Sequence, residues 1–587
     1  MSRLFKAVVL SAFLIGNGIF AASSVSQWGI TFTFDKDYTT GQFANGDYWV
    51  LGPVTITSIT PNATSSSNVW MVNPAPDQNC FDNRVPQFNG SLARSLPYTA
   101  SAGQSIVKAI SRDKADETSA GCGASGSDRN CLKTAAVLTV LGSAPADNGA
   151  TVFRPPYCGT AKTLYSVNDL RWDLLPSLDP TYVLFRKTLA QVELNMKRVY
   201  LDHLGVMSNQ QLHCKDYMPS YGANFAVYLN ENILSLFFNE TQAQKKNALI
   251  AAVQVGIDMY GMVKAGHSWG ANGGHGPGRK LPICFAGVML DNQEIMDAMK
   301  NSGTAIFQDD QVLYWSQKAN GGQGVVLFGV NYSESRYWEL VVTDGGNRIG
   351  GDPYGYIDGG HVPGTSYQQC CNSPCYKGAA MALTAMAAMQ PVWGHDRLLQ
   401  YAERWVKHGA WAQPDPCAPK PAGVSNWPNP SGYGSTWGPD GNGDCIKDTN
   451  PADGTGRFPD QHGLRADTGN RNTNYQDFFW KVYFDTLSTV DITRALEVYR
   501  NREERLTIHN NPLQANSGAL TIIPRVGKVR LSLYNSSGEL VRSFDPGIQA
   551  ITWNGKDGEG ALVPNGVYYV KVQGAGFTEV RTVSVIR

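Results

Sequence analysis

One glycine-rich segment carries most of the residues that could do chemistry. The run AGHSWGANGGHGPGRKLPICFAG, residues 265–287, contains two histidines, a serine and an Arg-Lys pair. Its letters GHSWG match the G-x-S-x-G pattern of a serine nucleophile elbow, which needs a strand before the serine and a helix directly after it. The residues before Ser268 favour a helix and the glycines after it disfavour one. The sequence therefore argues against Ser268 as a nucleophile.

The same segment predicts a loop that presents side chains to a ligand. Flanking glycines leave His275 accessible, whereas His267 is more easily explained as a packing residue. The letters GRKL lack the G-K-[ST] ending of a phosphate-binding loop. Further polar residues occur at comparable helix junctions: Tyr221, Asn224, Tyr354, Tyr356, Asp358, His361, Tyr367, Arg457, His462, Arg465 and Asp467.

The beginning of the chain predicts export. Arg3 and Lys6 precede the apolar run AVVLSAFLIGNGIF, and small residues follow, which is the order of a signal peptide over residues 1–22. No later run is long enough for a membrane helix. Lys+Arg and Asp+Glu balance at 49 each, so the chain has no net positive charge that would attract nucleic acid. We expect a bacterial protein that is secreted, extracellular or at the cell surface, with disulfides among its 11 cysteines.

The pattern of the chain predicts a multidomain α+β protein. Alternating β-branched runs over residues 23–165 favour an N-terminal β-sandwich. Residues 166–512 carry helical periodicity, with a helix from Asp179-Pro180 to Gly205 and a capping box at Thr241-x-x-Gln244. The uncharged run YKGAAMALTAMAAMQ predicts a helix that is buried on all sides. Alternating inner and outer helices predict an α/α toroid, an incomplete barrel.

The C-terminal residues 513–587 return to a strand pattern and predict an Ig-like β-sandwich. The letters WNGKDG at 553–558 and VPNGVY at 563–568 resemble the small Ig-like modules of the flagellar hook-capping family. That resemblance implies a domain for attachment or for the export machinery, and no catalysis.

The polar junctions of the toroid suit β-elimination of a uronate polysaccharide. This reaction needs a donor that neutralises the sugar carboxylate, a base for the neighbouring C–H, and an acid for the leaving oxygen. The strings GRKLPICFAG, YQQCC, WGHDRLLQYAERW and GRFPDQHG resemble those of secreted α/α-toroid polysaccharide lyases of the alginate-lyase kind. The resemblance implies Asn224 and His275 at the carboxylate, with Arg279 or Arg457 in support, and Tyr367 as base and acid. Tyr332, Tyr337 and Tyr356 are alternatives to Tyr367. The polar loop and junctions add further candidates for substrate binding: Lys280, Tyr221, His361 and His462.

Two other functions stay open on the sequence. An α/α-barrel glycoside hydrolase would use two carboxylic acids, with Asp352, Asp358, Asp396 and Asp467 as candidates. Helix capping is the simpler explanation of Asp396. A non-catalytic carbohydrate-binding surface protein would also fit the flanking β-domains.

The sequence predicts no cofactor and no catalytic metal. The cysteines Cys370, Cys371 and Cys375 match no zinc spacing, so structural or disulfide roles are favoured. One loop has Asp440, Asn442 and Asp444 at alternate positions, as in a calcium loop, but lacks its glycine and its bidentate glutamate.

Overall fold

A computed structural model describes two compact units, Met1–Leu487 and Ser488–Arg587. The residues that it describes are 20–85, 87–113, 122, 130–180, 186–204, 212–316, 325–328, 371–408, 474–480, 483, 506–509, 513–514, 519–524, 529–535, 539–547, 550–574 and 577–586. The predicted β-rich and helical domains thus belong to one unit.

The N-terminal strands form one curled sheet instead of the expected two-sheet sandwich. Its strands are β1 (Phe20–Gln27), β2 (Ile30–Gln42), β3 (Tyr48–Leu51), β4 (Val54–Thr60), β5 (Trp70–Val72), β6 (Tyr98–Ala100), β7 (Gln104–Ser111) and β8 (Leu132–Leu141). Their order is β5-β7-β8-β3-β2-β4-β6, and β1 pairs with β2. All of these pairs are antiparallel except β3 with β8. The predicted signal-peptide boundary after residue 22 lies within β1.

The two faces of this sheet belong to different cores, which explains its long apolar strands. On β7, Ile106 packs in a core enclosed by the curled sheet, whereas Val107 packs against the helices. On β8, Leu138 likewise packs in the core enclosed by the sheet, and Val137 packs against the helices. Because side chains alternate along a strand, both faces must be apolar when both are covered.

The helices of the first unit follow the sheet. They are α1 (Leu189–Met196), α2 (Gly222–Leu234), α3 (Gln242–Lys264), α4 (Lys280–Met289), α5 (Gln293–Lys300), α6 (Gln308–Gln311), α7 (Ser373–Ala385), α8 (Gln390–Trp393), α9 (Arg397–His408) and α10 (Asn474–Phe479). A short hairpin pairs β9 (Leu313–Ser316) with β10 (Val325–Phe328). Single 3-10 turns cover Gly90–Leu92, Ala146–Gly149, Val167–Asp169, Trp172–Leu174 and Ala387–Met389. Helix pairs such as α3–α4 and α2–α7 are in contact, but the α/α toroid, as an incomplete barrel, remains a prediction.

Capping boxes mark the starts of two helices, one of which the sequence predicted. The capping box of Thr241 and Gln244 opens α3 as predicted. The single helix expected from Asp179-Pro180 to Gly205 is interrupted, since residues 186–188 are not helical and α1 begins at Leu189, where Thr188 and Gln191 form a second capping box. The alanine-rich helix α7 is buried on nearly all sides, as its lack of charge indicated. No helix among the described residues is long and apolar enough to cross a membrane.

A buried ion network fastens the sheet to α3. Arg154 is fully buried, and its Nε lies 2.6 Å from Asp47 Oδ2, next to β3. The same guanidinium makes paired hydrogen bonds to Asp258 on α3. Burial lowers the pKa of Arg154, but the two carboxylates outweigh this effect and hold its pKa above the ordinary value. A bidentate pair fixes geometry as well as charge, so α3 keeps a defined position on the sheet.

The described part of the C-terminal unit consists of strands, as predicted. Its two sheets have the orders β11-β13-β16 and β12-β18-β17-β14-β15. The strands are β11 (Leu506–His509), β12 (Leu513–Gln514), β13 (Leu520–Pro524), β14 (Val529–Tyr534), β15 (Leu540–Gly547), β16 (Ile551–Trp553), β17 (Gly566–Gly574) and β18 (Phe577–Ile586). The indole of Trp553 is fully buried and donates to Lys556 O at 2.8 Å. This bond holds the turn that the letters WNGKDG encode, with Gly555 at φ 72°.

Candidate functional site

A loop between α3 and α4 carries His267, Ser268 and His275. Gly266, at φ 94°, ends α3, and the N–H of His267 donates back to Met262 O at 3.0 Å. Ser268 is exposed in this loop. A helix precedes it and more loop follows, so the strand–turn–helix of a nucleophile elbow is absent around it.

Helix α6 holds this loop through buried polar side chains that sequence reasoning missed. Gln308 Oε1 accepts the N–H of Asn272 at 3.1 Å and that of Gly276 at 3.0 Å. Gln311 Oε1 accepts the N–H of Ala271 at 2.6 Å. The only signal in the sequence is the run QDDQ between apolar segments, which resembles an exposed turn. Its role depends on a loop more than 30 residues earlier in the chain.

The next residue of α6 binds the end of the loop. The carboxylate of Asp309 is fully buried and accepts the N–H of Gly278 at 2.9 Å and 3.1 Å. Burial raises the pKa of Asp309 to about 7, and the neighbouring Asp310 adds to this shift. The backbone donor at Gly278 acts in the opposite direction.

Two residues that the sequence singled out, Tyr221 and His275, are in contact at the start of α2, and a third, Asn224, follows in the first turn of that helix. Tyr221 precedes the helix, and Asn224 lies in its first turn; both are half-buried. The ring of His275 lies edge-on to that of Tyr221, with centroids 4.8 Å apart. The N–H of Gly274 donates to the Tyr221 hydroxyl at 3.1 Å. Segments 50 residues apart in the chain thus form one cluster, which we call the Tyr221 cluster: Tyr221, Asn224 and His275.

Glycines make this close approach possible. A Cβ at Gly222 would lie 1.9 Å from the carbonyl oxygen of His275. A Cβ at Gly274 would lie 2.4 Å from the Tyr221 hydroxyl and 2.6 Å from Cys371 Cβ. Backbone and side chains therefore meet at distances that only glycine permits.

The N-termini of α2, α4 and α7 border the same loop. Arg279, just before α4, donates to the carbonyl of Gly222 on α2 at 3.2 Å. Asn372, just before α7, donates from Nδ2 to Gly273 O at 3.1 Å. Three helix N-termini, each with its partial positive charge, thus lie around the segment that carries His275.

The structure does not place Arg279 where a substrate could reach it. Its side chain is fully buried, and its Nε lies 2.8 Å from Asp202 Oδ2. His213 Nε2 lies 2.9 Å from the other carboxylate oxygen. Burial alone would raise the pKa of Asp202, but Arg279 and His213 hold it well below its usual range. Sequence reasoning singled out neither Asp202 nor His213, since their partner lies far along the chain.

The side chain of Lys280 likewise makes its contacts within the protein. It is 1% exposed, and its ammonium lies 2.7 Å from Asp310 Oδ2 and 2.7 Å from Trp393 O. His395 Nε2 lies 2.8 Å from the second oxygen of Asp310. Direct contact of Arg279 with a sugar carboxylate, and substrate binding by Lys280, do not fit this burial. Both side chains position the loop instead.

Several predicted residues lie outside the described residues. These are Tyr332, Tyr337, Tyr354, Tyr356, Tyr367, His361, Arg457, His462, Arg465, the calcium-loop residues Asp440, Asn442 and Asp444, and the hydrolase candidates Asp352, Asp358 and Asp467. The fourth hydrolase candidate, Asp396, is exposed at the start of α9 and accepts from Gln400 Nε2 at 2.6 Å.

The cysteines of the described residues have structural roles. Cys122 and Cys131 form a disulfide, and Cys371 is disulfide-bonded, whereas Cys375 is a buried thiol. Cys370 lies outside the described residues. No group of three or more His, Cys, Asp or Glu residues able to hold a metal occurs among the described residues.

Comparison with known proteins identifies only the C-terminal part. Residues 512–576 match the family model described as the FlgD Ig-like domain. No curated protein matches the chain. One similar solved structure is PorZ, described as an essential bacterial surface component of the type-IX secretion system of Porphyromonas gingivalis. It is 21% identical, the match covers 15% of this chain and 12% of that chain, and the TM-score is 0.14. The chain thus ends in an Ig-like domain.

Proposed function

We propose that the protein is a polysaccharide lyase that cleaves a uronate-containing polysaccharide by β-elimination at the Tyr221 cluster. The observation that carries this proposal is the contact of Tyr221 with His275, one turn from Asn224, beside the N-termini of α2, α4 and α7. The helix N-termini favour a carboxylate. A phenol, an imidazole and an amide supply the groups that elimination requires.

In the proposed reaction Asn224 and His275 hydrogen-bond the sugar carboxylate and stabilise the charge that develops on it. A tyrosine takes the C5 proton, the C5–H electron pair forms the C4–C5 double bond, and the C4–O4 bond breaks. The departing O4 receives a proton, which leaves an unsaturated sugar at the new chain end. Tyr367 was assigned to the proton transfers by resemblance. Tyr221 is its rival because its hydroxyl already lies in the cluster.

The buried charges support the site without entering the reaction. Arg279 and Lys280 pair with Asp202 and Asp310, so they fix the start of α4 and leave the binding of the carboxylate to other groups. The proposal therefore differs from the simple carry-over of the family pattern. It assigns the carboxylate to neutral donors and helix N-termini.

The test is ultraviolet absorbance of the conjugated product after mixing the protein with alginate, glucuronan, pectate and glycosaminoglycans. Tyr221→Phe and Tyr367→Phe are compared, with Tyr569→Phe on the C-terminal unit as the matched control. Loss of turnover with retained binding in one of the first two variants, and none in the control, supports the proposal. New reducing ends without absorbance would instead support a hydrolase. Binding without either product would make this a carbohydrate-binding protein.

We also propose that the protein is exported and that its Ig-like domain serves attachment or the export machinery. The basic-then-apolar order of the first residues and the Ig-like match at 512–576 support this. Deleting the unit Ser488–Arg587 should redistribute the protein between cell, cell surface and medium. An unchanged distribution would contradict the proposal.

A further inference from the structure

The segment that carries His275 has few side chains that could hold it by apolar packing. Three of the five residues at 272–276 are glycines, which have no side chain to pack. Hydrogen bonds to the backbone are therefore the main means of fixing this segment. The direction of the His275 ring depends on how that backbone is fixed.

A single buried amide, that of Gln308 on α6, makes four hydrogen bonds at this segment. Its Oε1 accepts the N–H of Asn272 at 3.1 Å and that of Gly276 at 3.0 Å. Its Nε2 donates to Gly273 O at 2.6 Å and to Asn372 Oδ1 at 2.5 Å. The side chain is fully buried, and both donor hydrogens and the oxygen of the amide are in use.

Asn372, just before α7, binds the same carbonyl as Gln308. Its Nδ2 donates to Gly273 O at 3.1 Å, so this oxygen accepts from two side chains. Asn372 Oδ1 accepts from Gln308 and also from the Tyr376 hydroxyl at 3.3 Å. Asn372 and Tyr376 are both buried. Side chains of α6 and α7 thus form one buried hydrogen-bonded group around Gly273.

The main chain is fixed on both sides of His275. The N–H of Gly276, directly after it, donates to Gln308. The N–H of Gly274, directly before it, donates to the Tyr221 hydroxyl at 3.1 Å. Without the bonds to Gln308, one side of the histidine would lose its anchor, and the ring would no longer be held against Tyr221.

We infer that Gln308 and Asn372 are positioning residues of the Tyr221 cluster, which set the place of the His275 imidazole without touching a substrate. The catalytic part of this inference rests on the proposed function. A misplacement of about 1 Å can lower a rate about a hundredfold. Since the charge on the sugar carboxylate grows in the transition state, displacement of His275 should lower kcat more than it raises KM.

The test changes one terminal group at a time in the full chain. Gln308→Glu keeps an oxygen for the loop and replaces the Nε2 donor, and Asn372→Asp replaces the Nδ2 donor in the same way. Gln254→Glu is the matched control. Gln254 is a buried glutamine on α3, and its Nε2 donates to Arg154 O at 3.0 Å. Circular dichroism and denaturant unfolding show that each variant is folded and how much stability it loses.

The main readout is NMR of the protein labelled with isotope-enriched histidine. The His275 signal is identified by its absence from His275→Gln. Gln308→Glu and Asn372→Asp should shift this signal and lower kcat on the polyuronate at least about tenfold. Gln254→Glu should destabilise the protein and leave the His275 signal and kcat unchanged.

The NMR signal separates this inference from the proposed reaction, because it does not depend on turnover. A shifted His275 signal in a protein that cleaves no polyuronate would support the positioning and contradict the lyase. An unshifted signal in both Gln308→Glu and Asn372→Asp would overturn the inference, and so would an equal shift in Gln254→Glu. A shifted signal with unchanged kcat would overturn its catalytic part.

Discussion

The buried carboxylate of Asp309 accepts the backbone N–H of Gly278 at 2.9 Å and 3.1 Å. This contact joins α6 to the last residues of the loop before α4. The same short helix binds the middle of the loop through Gln308 and Gln311. A glycine-rich loop can adopt many conformations. Hydrogen bonds with side chains of α6 restrict this loop to one conformation.

Asp309 should make the stability of the protein depend on pH. Its folded-state pKa is raised from 3.8 to about 7 by burial, so the folded state binds a proton that the unfolded state has already lost. The stabilising contribution is present below the unfolded pKa and is lost as the pH rises through about 7. Asp309→Asn mimics the protonated form, and its amide oxygen can still accept from Gly278. Denaturant unfolding from pH 4 to pH 8 should show a flatter profile and a more stable variant at pH 8.

The adjacent Asp310 should affect stability with the opposite pH dependence. Burial raises its pKa, but His395 and Lys280 outweigh this and lower it below the ordinary value. Its contribution is therefore present above the unfolded pKa and is lost on acidification. Asp310→Asn should destabilise the protein at pH 8, where Asp309→Asn stabilises it. Equal effects of the two variants would show that the environments of these carboxylates are misassigned.

Breaking the buried ion pair of Arg279 with Asp202 should lower the free energy of unfolding far more than breaking an exposed ion pair. Arg279→Met leaves Asp202 buried without its main partner, which typically costs about 3–5 kcal/mol. Arg171→Met removes partners Asp173 and Asp291, which are 62% and 49% exposed, and should cost at most about 1 kcal/mol. Thermal unfolding of the two variants gives the comparison. Similar losses would contradict the structural role of Arg279.

Gly274→Ala should disable the Tyr221 cluster. The new Cβ would lie 2.4 Å from the Tyr221 hydroxyl and 2.6 Å from Cys371 Cβ, so both neighbours must shift, and circular dichroism must show the variant to be folded before its turnover is compared. Gly270→Ala is the control, because its Cβ would lie 3.7 Å from Gln311, an ordinary contact. We expect loss of polyuronate turnover in the first variant and retention in the second. Retained turnover in Gly274→Ala would exclude Tyr221 from the reaction.

Four buried thiols should resist modification in the folded protein. Burial raises the pKa of each to about 12: Cys80, Cys158, Cys214 and Cys284. Since the thiolate is the reactive form, alkylation at pH 8 should require unfolding. Peptide mapping by mass spectrometry after labelling with and without denaturant tests this. Rapid labelling of any of the four under native conditions would contradict its burial.

Local signals in the sequence predicted the elements better than the contacts between them. The capping box at Thr241 gave the start of α3 because its partners are three residues apart. The motif at Trp553 gave the Ig-like turn for the same reason. Arg279 and Lys280, by contrast, are charged residues beside a glycine-rich loop, and such residues in a sequence indicate exposed, ligand-binding side chains. Their burial depends on Asp202 and Asp310, which no local pattern connects to them.

The N-terminal β-rich residues show the same limit of prediction from local sequence. Alternation correctly predicted strands, but it did not distinguish a two-sheet sandwich from one curled sheet. Ile106 and Val107 are both apolar because each face of β7 meets a different core. That second core consists of helices that follow in the sequence, so only the tertiary structure separates the two arrangements.

Ultraviolet absorbance of polyuronate mixed with the wild-type protein decides whether the Tyr221 cluster is a lyase site. We expect a rise in absorbance with at least one polyuronate, and loss of that rise when His275 is replaced by Gln. No rise with any polyuronate, while the protein remains folded, would contradict the assignment of a lyase site to the Tyr221 cluster.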